Sequence, residues 1–450
     1  MLPPQSRLIS ANGHLTIGET PDGYDALVLA DLARASDAVH LHISRDDARM
    51  AGLVEALEFF APDVEVLVFP AWDCLPYDRV SPQSDLVARR MATLGRLAKN
   101  VTTGKPRLVL ATVNGAMQRV PPRALLETGT WAANVGNRID LDDLTAYLTV
   151  NGYNRTGTVR EPGEYAVRGG ILDLFPPDAS SPLRLDMFGD TLESIRAFDA
   201  ESQRTTSQQS KIELVPVSEI HLDGEAISRF RRGYVTAFGA VSGTDALYEA
   251  VSEGRKHHGM EHWLPLFHDQ LDTLFDFLPT AMVSVDHLVD DARRARLDLI
   301  KDYYDARKQA LSMKNVEGTS FKPLPPEQLY LTEVEWVERM EGRRTRTLTP
   351  FATPENQTAV NLGVKEGRNF APERQQEGVN VFDALGRHIR LLRAAKKRIA
   401  IASWSVGARE RLQGVLKDHD IGNAVITDDW ASVLGSNPAN VHLLVLGLET

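Results

Sequence analysis

Residues 160–205, REPGEYAVRGGILDLFPPDASSPLRLDMFGDTLESIRAFDAESQRT, constrain this chain more than any other stretch. Short apolar runs alternate there with turn formers, which is the pattern of strands joined by tight turns. Gly169-Gly170 permits a bend or a close backbone approach beside Arg168, and Pro176-Pro177 stops the apolar run before it. In Leu183–Phe188 the period of two puts Leu183, Leu185 and Met187 on one face and Arg184, Asp186 and Phe188 on the other. Gly189-Asp190 then reads as a hairpin turn. A cation, an anion and an aromatic ring on one face have the composition of a docking patch, because aromatic and Arg side chains dominate interface hot spots. The same residues also fit a purely structural role. Arg184 would then pair with Asp173 or Asp186, and Phe188 would close the sheet edge.

Around that segment the text changes character. Residues 25–120 alternate helices (25–35, 45–60, 85–98) with apolar strands (38–43, 64–69, 107–112), a βαβ pattern that implies a parallel sheet with flanking helices. A helix over 141–150 precedes the strands of 160–205, which marks an α+β insertion. Beyond 214, core segments at 263–267, 273–278 and 281–285 and a long polar helix at 293–311 read as the second half of the first sheet. Residues 349–376 are polar without periodicity and read as a linker. A smaller α/β pattern fills 377–450, with a helix over 382–394, strands over 398–404, 424–427 and 441–448, and a helix over 406–417. The expected fold is therefore α/β: a split parallel-sheet domain (1–121 and 215–348), an inserted α+β domain (122–214), a linker (349–376) and a second small α/β domain (377–450). The chain stops at Thr450 directly after an apolar strand, as a piece of a longer protein would.

The pattern Gly163-Glu164-Tyr165, Arg168-Gly169, Asp173-Leu174-Phe175-Pro176, Arg184-Leu185-Asp186, Phe188, Ser194-Ile195-Arg196 and Phe198-Asp199 resembles the damage-recognition family of bacterial nucleotide excision repair, to which UvrB and the transcription-repair coupling factors belong. The flanks, Phe69 to Asp78, Ser81-Pro82 and Val113 to Pro121, are similar to the coupling-factor branch, and the likeness extends over about residues 25–350. In UvrB an aromatic-rich hairpin that grips damaged DNA is inserted near the segment matching 77–85, but here Tyr77 to Gln83 runs straight into a helix. The resemblance implies a UvrB-like scaffold that binds UvrA through the inserted domain, with Arg168, Arg184 and Phe188 at the matching positions. It also implies an intramolecular C-terminal domain that masks this surface, with RNA polymerase and DNA bound by later parts of a longer translocase. The competing reading is a divergent UvrB or helicase lobe that still binds nucleotide and damaged DNA.

A P-loop cradles phosphates with G-x-x-x-x-G-K-[ST]. Here Gly18 and Gly23 have that spacing, but Tyr24 stands at the Lys position and Asp25 at the Ser/Thr position. Glu19, Asp22 and Asp25 would repel a polyphosphate. Whether relict P-loop or ordinary loop, the segment is expected to bind no ATP, and the chain is expected to need no cofactor and to catalyse nothing itself.

The remaining constellations read as structural. His257, His258 and His262 with Glu261 read as a solvated loop, since Gly259 interrupts them and no further metal ligand is evident. Arg343, Arg344 and Arg346 read as a solvated edge, with contact to DNA or a neighbouring domain the lesser option. Arg393, Lys396, Lys397 and Arg398 read as a helix end favoured by the dipole, with nucleic-acid contact the lesser option. The net charge of −11 opposes broad nonspecific DNA binding, though a local basic patch remains compatible with it. The single cysteine, Cys74, excludes a disulfide framework and fits a reducing cytoplasm. The opening MLPPQSRLISANG lacks the pattern of a signal peptide, and no apolar run reaches the ~20 residues of a membrane span, so no membrane partner is expected.

Overall fold

The structure, a computed structural model, describes residues 4–36, 39–99, 104–241, 245–312, 321–354, 356–365, 367–419 and 421–448. Its first module opens with β1 (His14–Gly18), α1 (Tyr24–Arg34), β2 (His40–Ser44), α2 (Asp47–Phe60), β3 (Glu65–Phe69), α3 (Ser84–Ala98) and β4 (Arg107–Thr112). The expected start of β2 at Ala38 lies outside the described residues. The insertion holds β5 (Trp131–Asn134), α4 (Leu141–Val150), β6 (Asn154–Arg155), β7 (Glu164–Arg168), β8 (Ile171–Leu174), β9 (Leu183–Phe188), β10 (Thr191–Phe198), β11 (Thr205–Gln209) and β12 (Lys211–Leu214). The chain then returns through α5 (Gly224–Phe238) and α6 (Ala246–Ser252) to β13 (Met282–Asp286), α7 (Val289–Ser312), α8 (Glu333–Met340), β14 (Thr345–Leu348) and β15 (Ala359–Asn361).

Seven strands form one all-parallel sheet in the order β15-β1-β14-β13-β2-β4-β3. Both faces are covered, as a parallel sheet requires. Val109 and Ala111 of β4 pack with Met91 and Leu94 of α3, while Leu108 and Leu110 pack with Leu29 of α1 and Leu57 of α2. The second face carries a buried polar row: His42, Ser284 and Arg346 are register partners across β2, β13 and β14. Ser284 Oγ lies 2.8 Å from both His40 Nε2 and His42 Nδ1. Arg346, expected at a solvated edge, is fully buried and donates to the carbonyls of Leu8, Ala11 and Gly13. A central parallel strand is short of donors for the chain crossing its end, and the guanidinium supplies them.

Two other expectations are corrected. Among the described residues between 215 and 281 no strand joins the sheet; α5, α6 and a 3₁₀ turn over Met260–Leu266 gather Phe230, Tyr234, Trp263 and Phe267 into an aromatic core with Trp72 and Tyr77. Only β13 and β14 supply the returning half. The polar stretch 349–376 is not wholly a linker, because β15 pairs with β1 and closes the sheet. Three residues paired on one side are too short to show a period.

The last module contains α9 (Val381–Ala394), β16 (Ile399–Ser403), α10 (Val406–Asp418), β17 (Ala424–Ile426), α11 (Trp430–Gly435) and β18 (Val441–Val445), with a parallel sheet ordered β16-β18-β17. It shares a core with the first module: Val433, Leu444 and Leu446 are buried against α2, and the Trp430 ring meets Phe60 edge-on at 5.1 Å.

Buried imidazoles give the fold a pH dependence. Burial pushes His40 down to about 3, and His221 and His262 to about 4. The unfolded chain takes up protons near pH 6.5 that the folded chain refuses, so stability is full above that pH and falls as the solution is acidified toward 4. Each group contributes about 1.4 kcal/mol per pH unit in this window. Thermal unfolding at pH 7.5 and pH 5.0 should show a midpoint lower by at least several degrees at pH 5.0. Equal midpoints would mean that these rings are protonated in the native state.

Candidate docking face and the closed phosphate loop

The inserted domain is a sheet ordered β11-β10-β9-β8-β7-β6, with β5-β12 paired beside it. Its inner face, Tyr165, Leu172, Leu174, Leu183, Leu185, Leu192 and Ile195, packs against Leu144 and Leu148 of α4. Two-residue turns set the register. Gly169 adopts φ 62°, and Gly170 approaches β9 so closely that an added Cβ would sit 3.0 Å from the Met187 carbonyl oxygen. Gly189, also at φ 62°, turns β9 into β10.

The outer face follows from that register. Arg168 pairs with Ile171, and Ile171 with Asp186; in the next row Asp173 pairs with Arg184, and Arg184 with Arg196. Directly opposed residues point to one side of a sheet. Arg168, Arg184 and Phe188 therefore share a face, with the β7 and β9 members roughly 10 Å apart across two strand spacings. Phe188 is 78% exposed, and Ile171 beside it is also exposed. Arg168 is exposed and is steadied by a bond from Nη2 to the Gly157 carbonyl at 2.5 Å.

Arg184 is more committed. Its Nε and Nη2 donate to both oxygens of Asp173 at 2.7 and 2.9 Å, and its guanidinium lies 4.7 Å from the Phe198 ring centre. Asp186 is held in the same way by Arg196, at 2.8 Å to each oxygen, and accepts from Ser194. Burial pushes the Asp186 carboxyl upward, but the bonds from Arg196 and Ser194 outweigh it and hold the group below the usual carboxylate range. The structural and the docking readings of Arg184 thus coexist: two of its nitrogens order the sheet, and Nη1 makes no hydrogen bond among the described residues. Ile171 and Arg196 were not singled out from sequence. Their place depends on cross-strand register, which no single strand reveals.

Gly18, Gly23, Tyr24 and Asp25 do lie where a phosphate cradle would, between β1 and the first turn of α1. Neighbouring residues crowd that loop at Gly18, Glu19 and Gly23, although a cleft lined by Asp22, Gly23, Asp25 and Arg49 opens beside it. Gly18 abuts Asn361 and Phe351, Glu19 at φ 56° accepts from the Gly363 amide, and a Cβ on Gly23 would strike Leu448 at 2.6 Å. The ring of Tyr24 is packed against the core that α1 and α2 form on the sheet with Leu108 and Leu110. Arg49 of α2 fills the place of a bound cation partner: it pairs with buried Asp25, with Asp22 at 3.0 Å, and approaches Asp286 at 3.9 Å. Burial raises the Asp286 carboxyl, yet His42, the Arg45 amide and Arg49 together bring it below its ordinary value. Two of the carboxylates expected to repel phosphate, Asp22 and Asp25, are already paired with a cation of the chain itself. Arg49 carried a weak signal, three residues after the helix cap Asp46; Leu448 carried none. The variant Tyr24→Lys/Asp25→Ser, which restores the missing P-loop residues, should therefore still give no heat with Mg-ATP in calorimetry. Micromolar binding by that variant would show that the loop opens.

The histidine group also departs from expectation. His262 is buried edge-on against Trp72 at 5.8 Å, and Glu261 accepts from Ser81 at 2.7 Å, so neither belongs to a solvated loop. Among the described residues no group of three His, Cys, Asp or Glu is arranged to hold a metal. Cys74 is half-buried and burial moves its thiol up to about 12. No helix is long and apolar enough to cross a membrane among the described residues.

The family model for the UvrB interaction domain matches residues 132–220, the span from β5 to just beyond β12. The chain is similar to transcription-repair-coupling factors from Haemophilus influenzae (30% identical over 90% of this chain and 34% of that protein) and Escherichia coli K12 (30%, 91% and 34%). The one from Myxococcus xanthus is 37% identical over 56% of this chain and 22% of its own length. The chain spans about a third of the length of these first two relatives.

Proposed function

Because this chain corresponds along nine-tenths of its length to the N-terminal region of transcription-repair-coupling factors and contains a UvrB interaction domain, we propose that it recruits UvrA by presenting a UvrB-like face, and that it does so without catalysis of its own. The observation that carries this reading is the exposed phenyl ring of Phe188 on the same face as Arg168, in a sheet where Arg184 pairs with Asp173 and Arg196 with Asp186. An apolar anchor flanked by an exposed guanidinium that no carboxylate neutralises among the described residues fits a partner surface with a pocket and a carboxylate. As part of a longer protein, the chain would act beside segments that engage RNA polymerase and DNA, and a C-terminal domain of the same protein would cover the face when UvrA is absent.

Calorimetry with UvrA tests this. Phe188→Ala and Arg168→Ala should each weaken association by about 1–3 kcal/mol, the usual hot-spot range, with unchanged melting. Arg184→Ala should weaken binding and also lower the melting midpoint, since it leaves Asp173 unpaired. Wild-type affinity in the first two variants would remove this face from the interaction.

A further inference from the structure

From the basic face of α9 we infer a second binding surface, for the phosphate backbone of nucleic acid, in a module separate from the UvrA-docking face. Six cations, Arg387, Arg390, Arg393, Lys396, Lys397 and Arg398, fall within residues 387–398 with no carboxylate among them, in a chain whose net charge is −11. They do not all do the same thing. Arg393 donates to the Gly422 carbonyl, and Arg398 to the carbonyls of Val433 and Ser436, so these two fasten α9 to its own module. Arg387, Arg390, Lys396 and Lys397 are exposed, and among the described residues none has an ion pair or a side-chain hydrogen bond.

The helix end does not account for them. The last carbonyls of α9 already accept from backbone amides: Leu391 from Ala395, Arg393 from Lys396 and Leu392 from Lys397, with Lys396 at φ 55° completing the turn. Dipole stabilisation also fades within the last turn, whereas Arg387 and Arg390 lie further back. Arg387, Arg390, Leu391 and Ala394 fall on one helical stripe, and Lys396 and Lys397 follow directly after the helix ends at Ala394. At a rise of 1.5 Å per residue the stretch from Arg387 to Ala394 is roughly 10 Å long, and the two lysines extend it past the helix end. Each strand of duplex DNA carries a charge per about 3.4 Å of helix axis, so the helical stretch alone spans about three phosphates. A protein partner would call for an aromatic or a cluster of apolar anchors; among the described residues Leu391 is the one large exposed apolar side chain of the stripe, and the small Ala394 lets a backbone come close.

The test is fluorescence anisotropy of the full chain with a labelled 30-base-pair duplex between 50 and 200 mM NaCl. The variant Arg387→Gln/Arg390→Gln/Lys396→Gln/Lys397→Gln should melt like the wild type, lose at least ~10-fold in affinity, and show a log–log salt slope shallower by about three to four. Arg387→Lys/Arg390→Lys, which keeps the charge, should bind as the wild type does. No binding by the wild type at 50 mM NaCl, or a four-site variant within twofold of it, would overturn the inference. Equal affinity for polyglutamate of matched charge would reassign the surface to an acidic protein and overturn it as well.

Discussion

Arg90→Ala is expected to destabilise the chain by about 3–5 kcal/mol, the cost of leaving one partner of a buried ion pair alone. Arg90 of α3 and Glu219, just beyond the insertion, have fully buried side chains and meet at 2.6 Å. The same guanidinium donates to the Pro70 carbonyl at 2.8 Å and lies 4.4 Å from the Phe69 ring centre. Removing it forfeits those contacts, opens a cavity and strands the Glu219 carboxylate where water cannot reach. The pair itself is not a large net gain, since both charges were stripped of water to form it. Arg90→Met/Glu219→Gln should therefore recover most of the loss. Chemical denaturation of Arg90→Met, Glu219→Gln and the double variant measures this. Additive losses in the double variant would mean that the two side chains act independently.

Arg49→Ala is expected to cost about 3 kcal/mol, the lower end of the same range, because its side chain is 11% exposed beside an open cleft. Arg49 neutralises Asp22 and Asp25 and sits near Asp286. Without it, three carboxylates converge on the N-terminus of α1, and at least one must take up a proton. The destabilisation should therefore shrink as the pH is lowered from 7 toward 5, opposite in sign to the histidine effect of the parent fold. Paired denaturation curves at the two pH values check this. A loss independent of pH would mean that Arg49 matters for its packing rather than its charge.

Much of the fold was legible because its signals are local. Strand β9 and helix α4 have the bounds that alternation and helical period predict, 183–188 and 141–150, and the turns at Gly169 and Gly189 fall where glycine freedom places them. What escaped was set by distant partners. Nothing near Arg346 says that its strand lies between β1 and β13, and nothing near Ala359 says that three residues will pair with the first strand of the chain. The apolar run at 263–267 could serve a strand or a helix, and Pro265 with its aromatic neighbours decided for a 3₁₀ turn. At the docking face the sequence exposed Phe188 correctly from its alternation. It left Arg184 undecided between an ion pair and a binding role, because cross-strand register, not strand period, brings Asp173 opposite it.

The position of β1 between β14 and β15 has a consequence for synthesis. His14 is matched with Thr345, 331 residues downstream, and Thr16 with Ala359. At a ribosomal pace of about 5–20 residues per second, the first strand waits roughly 15–70 s for its neighbours. During that interval its edges are open, while the insertion, whose strands pair with near neighbours, can already be folded. A nascent chain halted before residue 345 should therefore display a protease-resistant inserted domain on an N-terminal region that is still digestible.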